Sequence, residues 1–381
     1  MYSVAAYGDL IADERRMRAY EAALERVVRP DSVVLDLGCG SGIMAFLACR
    51  LGAHKVIAVE SDNVVQLARQ IAAVNGLAER IEFLHGLSTA MEPPQRCDVV
   101  VSDLHGVLPL FTQHIPSIVD VNERWLADGG IQIPREESIF AAVIESQSVW
   151  DGHFQGWTAD VGVDLSPALH VRSGATARCE LEREALLTEP ALWATIDYRT
   201  VMSPHREARL TWRAQRDGVG HGIALWFESI LTDGVTLSNR PGEPATMFGQ
   251  MYLPWPHPVR LHRGDCVQTQ IRARLVGDNY VWVWDTDVHS AEAGRVPRTF
   301  RQSTLQSSVW SSEWLATRQL DARSTLGPTG RAALEALQAM EQGAAVGEIS
   351  AALLERFPAE FPTLPQSLGF VSGIRSAYGA V

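Results

Sequence analysis

Apolar residues in the first third of the chain gather into short runs at 33–37, 56–60, 81–85 and 98–103, rich in valine, isoleucine and leucine. Between them, 43–50 and 64–75 carry apolar positions at helical spacing, suited to helices lying on a sheet. Buried strand runs alternating with amphipathic helices are what parallel βαβ units require. The pattern therefore predicts an open, doubly wound, Rossmann-like α/β domain over 1–134. After Pro134 the texture changes to strand-like segments separated by turn residues, at 138–146, 191–198, 207–214, 221–231, 246–253, 266–276 and 280–288. That spacing predicts an antiparallel, β-barrel-like domain over 135–325. The remainder, 326–381, shows helical patterns at 331–342, 347–357 and 364–378 broken by Gly and Pro, and reads as a small helical module.

Composition narrows the function classes. The 381 residues carry 33 Lys plus Arg against 45 Asp plus Glu, a net charge of −12, and 46% are hydrophobic. Such acidity opposes general nucleic-acid binding, which needs a concentrated basic surface. No run of 18 apolar residues occurs, and Met1-Tyr2-Ser3 does not open a basic region followed by an apolar stretch. Neither a membrane span nor a secretory signal is expected. The five cysteines, Cys39, Cys49, Cys97, Cys179 and Cys266, form no CxxC pair. They support neither a metal site nor a disulfide framework, and the expected setting is the reducing cytoplasm. Lys55 is the single lysine, which excludes most lysine chemistry.

The most specific signal is Val34-Leu35-Asp36-Leu37-Gly38-Cys39-Gly40-Ser41-Gly42, a strand running straight into glycines and then a helix. Glycines there let backbone N–H groups approach a ligand that a Cβ would exclude. A dinucleotide fingerprint would place glycine three residues after Gly40, where Ile43 stands. Glu60, eighteen residues beyond Gly42, ends the second strand, where an acid can take both ribose hydroxyls of a nucleoside. Asp36, Gly38, Gly40, Gly42 and Glu60 together resemble the cofactor loop of a class I S-adenosyl-L-methionine-dependent methyltransferase. The plainer reading is a turn followed by a solvated strand end.

The flanks narrow the resemblance to the protein arginine methyltransferase family. Tyr7-Gly8, Asp13, Arg16 and Tyr20 look like its N-terminal lid helix, which implies that Arg16 pairs with the methionine carboxylate. Arg124 to Gly130 resembles the helix and turn before the fifth strand. Leu225-Trp226-Phe227, Leu237-Ser238-Asn239 and Thr246-Met247-Phe248-Gly249-Gln250 follow in the family's order. The resemblance covers about residues 2–290. It implies a homodimer, with 155–175 in the place of the family's dimerisation arm. Ser88 and Thr89 fall where the family contacts adenine, or in a simple loop; Tyr2 and Tyr7 line the lid or pack in the core.

Methyl transfer from a sulfonium is an in-line displacement, so the protein mainly holds nucleophile and methyl carbon in line, worth up to roughly 7–11 kcal/mol. Guanidinium stays charged at neutral pH and is best oriented by paired carboxylates. The family supplies two glutamates from the loop after the fourth strand. Here the first position is Asp103 and the second is Thr112, which carries no charge. The family's Thr-His-Trp loop also departs, with Met247 and Phe248 as candidate substrate-wall residues. His105 and His114 lie in the same loop and are candidate bases, or else solvated or capping histidines. Cys39 reads as packing rather than a nucleophile, and the alternating Tyr280 to Trp284 run as one packed strand face.

These departures predict a methyltransferase acting on a non-arginine nitrogen or oxygen of a peptide or small molecule. Asp103, His105 and Thr112 form its catalytic set, with Tyr7, Met247 and Phe248 around the substrate. The alternative is a true protein arginine methyltransferase, in which Asp103 and a residue outside the loop replace the glutamate pair. A third reading is a non-catalytic partner binding cofactor or peptide. The C-terminal helices, with Glu348-Ile349 leading into Leu353 to Phe357, are similar to winged-helix modules that hold precursor peptides, or else cap the barrel.

Overall fold

Valine-rich runs form a parallel sheet from β1 (Val33–Leu37), β2 (Lys55–Glu60), β3 (Ile81–His85), β4 (Cys97–Ser102) and β5 (Leu126–Ile133). The protein is described by a computed structural model covering residues 3–292, 296–316, 319, 321, 323 and 325–379; Tyr2 lies outside the described residues. Strands β1, β2 and β4 are buried almost throughout, which explains why they read as continuous apolar runs rather than alternating ones. The strand order is β3-β2-β1-β4-β5. The chain thus winds outward from β1 in one direction and resumes at β4 on its other side. That reversal opens a crevice beyond the carboxyl ends of β1 and β4, the place where open α/β sheets bind ligands.

Helices α1 (Val4–Ala12) and α2 (Glu14–Val27) precede β1, while α3 (Ile43–Arg50), α4 (Val65–Val74) and α5 (His114–Asp120) connect the strands. The expected turn ahead of the fifth strand is absorbed into β5 itself. Its pairing jumps from Cys97↔Leu126 to Val99↔Ile131, so Gly129-Gly130 sit in a bulge rather than before the strand.

From Glu136 the chain builds two antiparallel sheets. The first contains β6 (Glu136–Ile144), β7 (Ala177–Cys179), β8 (Ala191–Asp197), β10 (Gly218–Thr232), β11 (Val235–Ser238) and β12 (Gln250–Leu261), in the order β7-β12-β10-β6-β8 with β11 beside β10. The second contains β9 (Arg206–Arg213), β13 (Cys266–Val276), β14 (Asn279–His289) and β15 (Arg298–Ser303), in the order β15-β14-β13-β9. Trp193, Trp212, Trp255, Trp282 and Trp284 fill the core between them, which also takes in Leu35, Ile57 and Leu108 of the first domain. The two domains therefore share one hydrophobic interior. The strand expected at 246–253 begins later, at Gln250, and continues through Pro254, Pro256 and Pro258. A register shift between Gly220 and Gly222 of β10 accommodates them.

The segment expected as an arm, 155–175, follows α6 (Gln147–Phe154) and consists of an exposed stretch and α7 (Ser166–Ser173). The chain forms two compact units, Met1–Val309 and Trp310–Val381. Among the described residues of the second unit all regular structure is helical: α8 (Ser312–Ala316), α9 (Pro328–Glu341), α10 (Val346–Arg356) and α11 (Leu364–Tyr378). Ala332, Ala336, Ile349, Leu353, Phe361 and Val371 are its small core.

Candidate active site

The loop after β1 is shaped by glycine. Gly38 (φ 72°) and Gly40 (φ 52°) adopt left-handed backbone, and a Cβ at either would overlap Leu104 or the Tyr7 ring. Gly38 and Cys39 donate their N–H groups to the Val59 carbonyl at 2.8 and 3.0 Å, tying the loop to β2. Gly42 is the residue that caps α3. Asp36 is buried, and its Oδ2 accepts from the Ala45 N–H at 2.8 Å, linking β1 to the first turn of α3. Burial pushes its carboxyl up to about 7 against that hydrogen bond. At the end of β2, Glu60 Oε2 accepts from Gly40 N and Oε1 from Asp62 N, each at 2.8 Å.

These groups face a cavity of about 620 Å³. Tyr7, Arg16, Asp36, Gly38, Gly40 and Glu60 line it together with Asp103, His105, Thr112, Gln113 and Asp278. Cradle, acidic strand end and volume suit a nucleoside-bearing cofactor. Ser88 is buried beside a small adjoining cavity of about 90 Å³, whereas Thr89 is exposed and lines neither.

Helix α2 and the loop after β4 meet at Asp103. Arg16, buried on α2, donates from Nε to Asp103 Oδ2 at 2.5 Å and pairs with it through a second nitrogen. Tyr20 Oη donates to Oδ1 at 3.1 Å. Burial works against the Arg16 charge, but Asp103 outweighs it and holds the pKa above its ordinary value. Arg16, which the resemblance gives to the methionine carboxylate, thus already spends two nitrogens on Asp103. Asp13 fastens the lid from outside: Oδ1 caps α2 at Arg16 N, 3.0 Å, and Oδ2 accepts from Met247 N at 2.9 Å.

His105 lies 3.0 Å through Nε2 from Oε1 of Glu137, and both side chains are almost wholly buried. Ser229 and Tyr198 also donate to the Glu137 carboxylate. Burial alone would lower the His105 pKa and raise that of Glu137; their attraction reverses both directions. His114 is buried, with Nδ1 2.9 Å from the Pro109 carbonyl, and burial followed by the His105 charge lowers it to about 4. It is neither solvated nor facing the large cavity.

Thr112 has φ 39°, the one positive φ outside glycine among the described residues. A β-branched residue there is strained, a condition that concentrates at functional sites. Thr112 and Phe111 line both the large cavity and a second one of about 450 Å³. Met247 and Phe248 line only the second, along with Met251, Tyr280 and Trp282. Three carboxylates were not expected from the sequence, Asp62 after β2, Glu137 on β6 and Asp278 in the β13–β14 turn. Glu137 left one signal, an acid inside an apolar strand; Asp278, in an ordinary Gly-Asp turn, left none.

Residues 21–157 match the family model of ribosomal protein L11 methyltransferase (PrmA), and residues 135–288 that of the arginine methyltransferase oligomerization subdomain. A probable protein arginine N-methyltransferase 6 of Arabidopsis thaliana is 26% identical over 238 residues, 59% of this chain but 54% of the relative. The match thus spans about half of that relative's length. An arginine N(omega)-methyltransferase of Streptomyces achromogenes subsp. streptozoticus is 27% identical over 268 residues, covering 69% of this chain and 74% of the relative. Among solved structures, the Trypanosoma brucei PRMT1 enzyme-prozyme heterotetrameric complex with AdoHcy superposes with a TM-score of 0.70 at 22% identity, over 79% of this chain and 98% of that one. That likeness establishes the fold.

Proposed function

We propose that this chain, a class I S-adenosylmethionine-dependent methyltransferase of protein arginine methyltransferase build, methylates a guanidine nitrogen of arginine, free or in a peptide. The observation that carries the reading is Asp103, which directly follows β4 at the switch point with both oxygens fixed by Arg16 and Tyr20. The names of the relatives point the same way, and the comparisons lend no support to the expected non-arginine acceptor. When bound, S-adenosylmethionine supplies an electrophilic methyl on a sulfonium. Gly38, Gly40 and Glu60 hold its nucleoside end, and Asp36 stiffens the loop beneath. Tyr7 and α1 close over it and exclude water.

Asp103 accepts a hydrogen bond from the guanidinium and turns one nitrogen toward the methyl. As the N–C bond forms and the C–S bond breaks, the nitrogen releases a proton toward the Asp103 carboxylate. His105, whose pKa Glu137 raises, fixes the loop instead of serving as the base. The 155–175 segment supports a homodimer through its exposed Trp157, Val161 and Val163, and a cytoplasmic setting fits the unpaired cysteines.

Thr112 favours a second reading, a neutral or weakly basic acceptor such as an imidazole, amide or hydroxyl, since this position lacks the family's charge. Incubation with labelled cofactor, arginine-rich peptides and free arginine, read by mass spectrometry, separates the two. Methylated arginine is the expected product; methylation confined to another residue establishes the second reading.

A further inference from the structure

The loop after β4 gives the cavity one carboxylate, Asp103, which Arg16 already engages. A further carboxylate on the same cavity comes from the other domain. Strands β13 and β14 pair without interruption from Cys266↔His289 to Val276↔Asn279, leaving Gly277-Asp278 as a two-residue turn. Gly277 has φ 60°, the first-position glycine of a tight hairpin turn. Such a turn on a fully paired ribbon holds its side chains in a defined place.

That place is the rim of the large cavity, which Asp278 lines together with Asp103 and Thr112. Gln113, the neighbour of strained Thr112, clamps the turn there. Its Nε2 donates to the Gly277 carbonyl at 2.8 Å and to Asp278 Oδ1 at 3.0 Å. An amide donor orients a carboxylate without neutralising it. Asp278 forms no ion pair among the described residues, and its Oδ2 has no partner there. By contrast, the charge of Asp103 is matched by Arg16. The rim therefore presents a fixed, uncompensated negative charge beside the uncharged Thr112.

We propose that Asp278 is the second carboxylate of the acceptor site, a specificity determinant that completes with Asp103 the clamp for a guanidinium. The inference rests on the arginine reading above and deepens it. It also gives Gln113 a role, since the clamp across the domains places the hairpin carboxylate at the mouth of the cavity.

The test compares the full-length wild-type protein with Asp278→Asn and Asp278→Glu. Asp278 is exposed, and Asn keeps an acceptor for Gln113, so folding and loop geometry should survive. For an arginine peptide, Asp278→Asn should raise KM by roughly ten- to a hundredfold, the worth of a hydrogen bond between charged groups. Cofactor affinity by calorimetry should stay unchanged, and Asp278→Glu should recover part of the loss. A peptide with citrulline replacing arginine supplies a readout of charge. Its inhibition constant should barely move in Asp278→Asn, so the variant loses the wild-type preference for the cation. Arginine methylation by Asp278→Asn with wild-type KM and preference overturns this inference and leaves the arginine reading standing. A wild-type protein that methylates another acceptor and no arginine overturns both.

Discussion

Nε2 of His105, in the loop after β4, sits 3.0 Å from Oε1 of Glu137 on β6, so a buried side-chain pair joins that loop to the β-domain. Phe227 and Phe248 pack on the imidazole at 4.9 and 5.3 Å between ring centroids, which keeps water away from the pair. A shift of β6 would thus move the loop that carries Asp103.

This pair should give stability a defined pH dependence. Burial opposes both charges, yet Glu137 is held below its ordinary 4.5 and His105 above its ordinary 6.5. The Glu137 contribution is in place above pH 4.5 and lost as acid titrates it. The His105 contribution is complete below pH 6.5 and lost as the pH climbs through the raised value. Asp103, Arg16 and His114 also face the imidazole and enter the same balance. Thermal melts from pH 5 to about 9 should show Tm falling more steeply above pH 6.5 in the wild type than in Glu137→Gln. Superimposable profiles would show that the pair carries no such linkage.

Glu60 anchors the cofactor loop through Gly40 and Asp62 and faces the cavity. Glu60→Gln preserves an acceptor while removing the charge that would take two ribose hydroxyls. Cofactor binding should weaken by about 1.5 kcal/mol or more, at least roughly tenfold. Calorimetry reporting wild-type affinity for a folded variant would remove Glu60 from the ribose site.

Asp13 serves two elements at once, capping α2 and holding the backbone of Met247. Losing a cap costs roughly 0.5–2 kcal/mol. Asp13→Ala should lower Tm and also weaken cofactor binding, because Arg16 and Tyr20 ride on the same helix. A stability loss with unchanged cofactor affinity would mean that the lid closes independently of its cap.

Trp157, Val161 and Val163 are 46%, 61% and 69% exposed, a concentration of apolar surface on one connecting segment. Surface of that kind marks an association site. Val161→Asp with Val163→Asp should convert a homodimer to a monomer and reduce turnover, as light scattering with parallel assays would report. A wild-type protein already monomeric at micromolar concentration would refute the arm.

The sequence by itself determined whatever depends on neighbours along the chain. Backbone periodicity set the runs that became β1 to β4 and the helices between them, and glycine spacing with Asp36 and Glu60 marked a loop that lines the large cavity. Asp103 was legible because a carboxyl strand end is a local feature. The tertiary structure alone decided the partners. Asp278 reaches Gln113 across 165 residues, and Glu137 meets His105 through the register of β6 with β10, where Glu137 pairs Ser229. Periodicity reports which face of an element is buried; it holds nothing about which hairpin tip closes over which loop. That choice follows from how two sheets share one core, and it sets the Asp278 turn against the loop that carries Asp103 and Gln113.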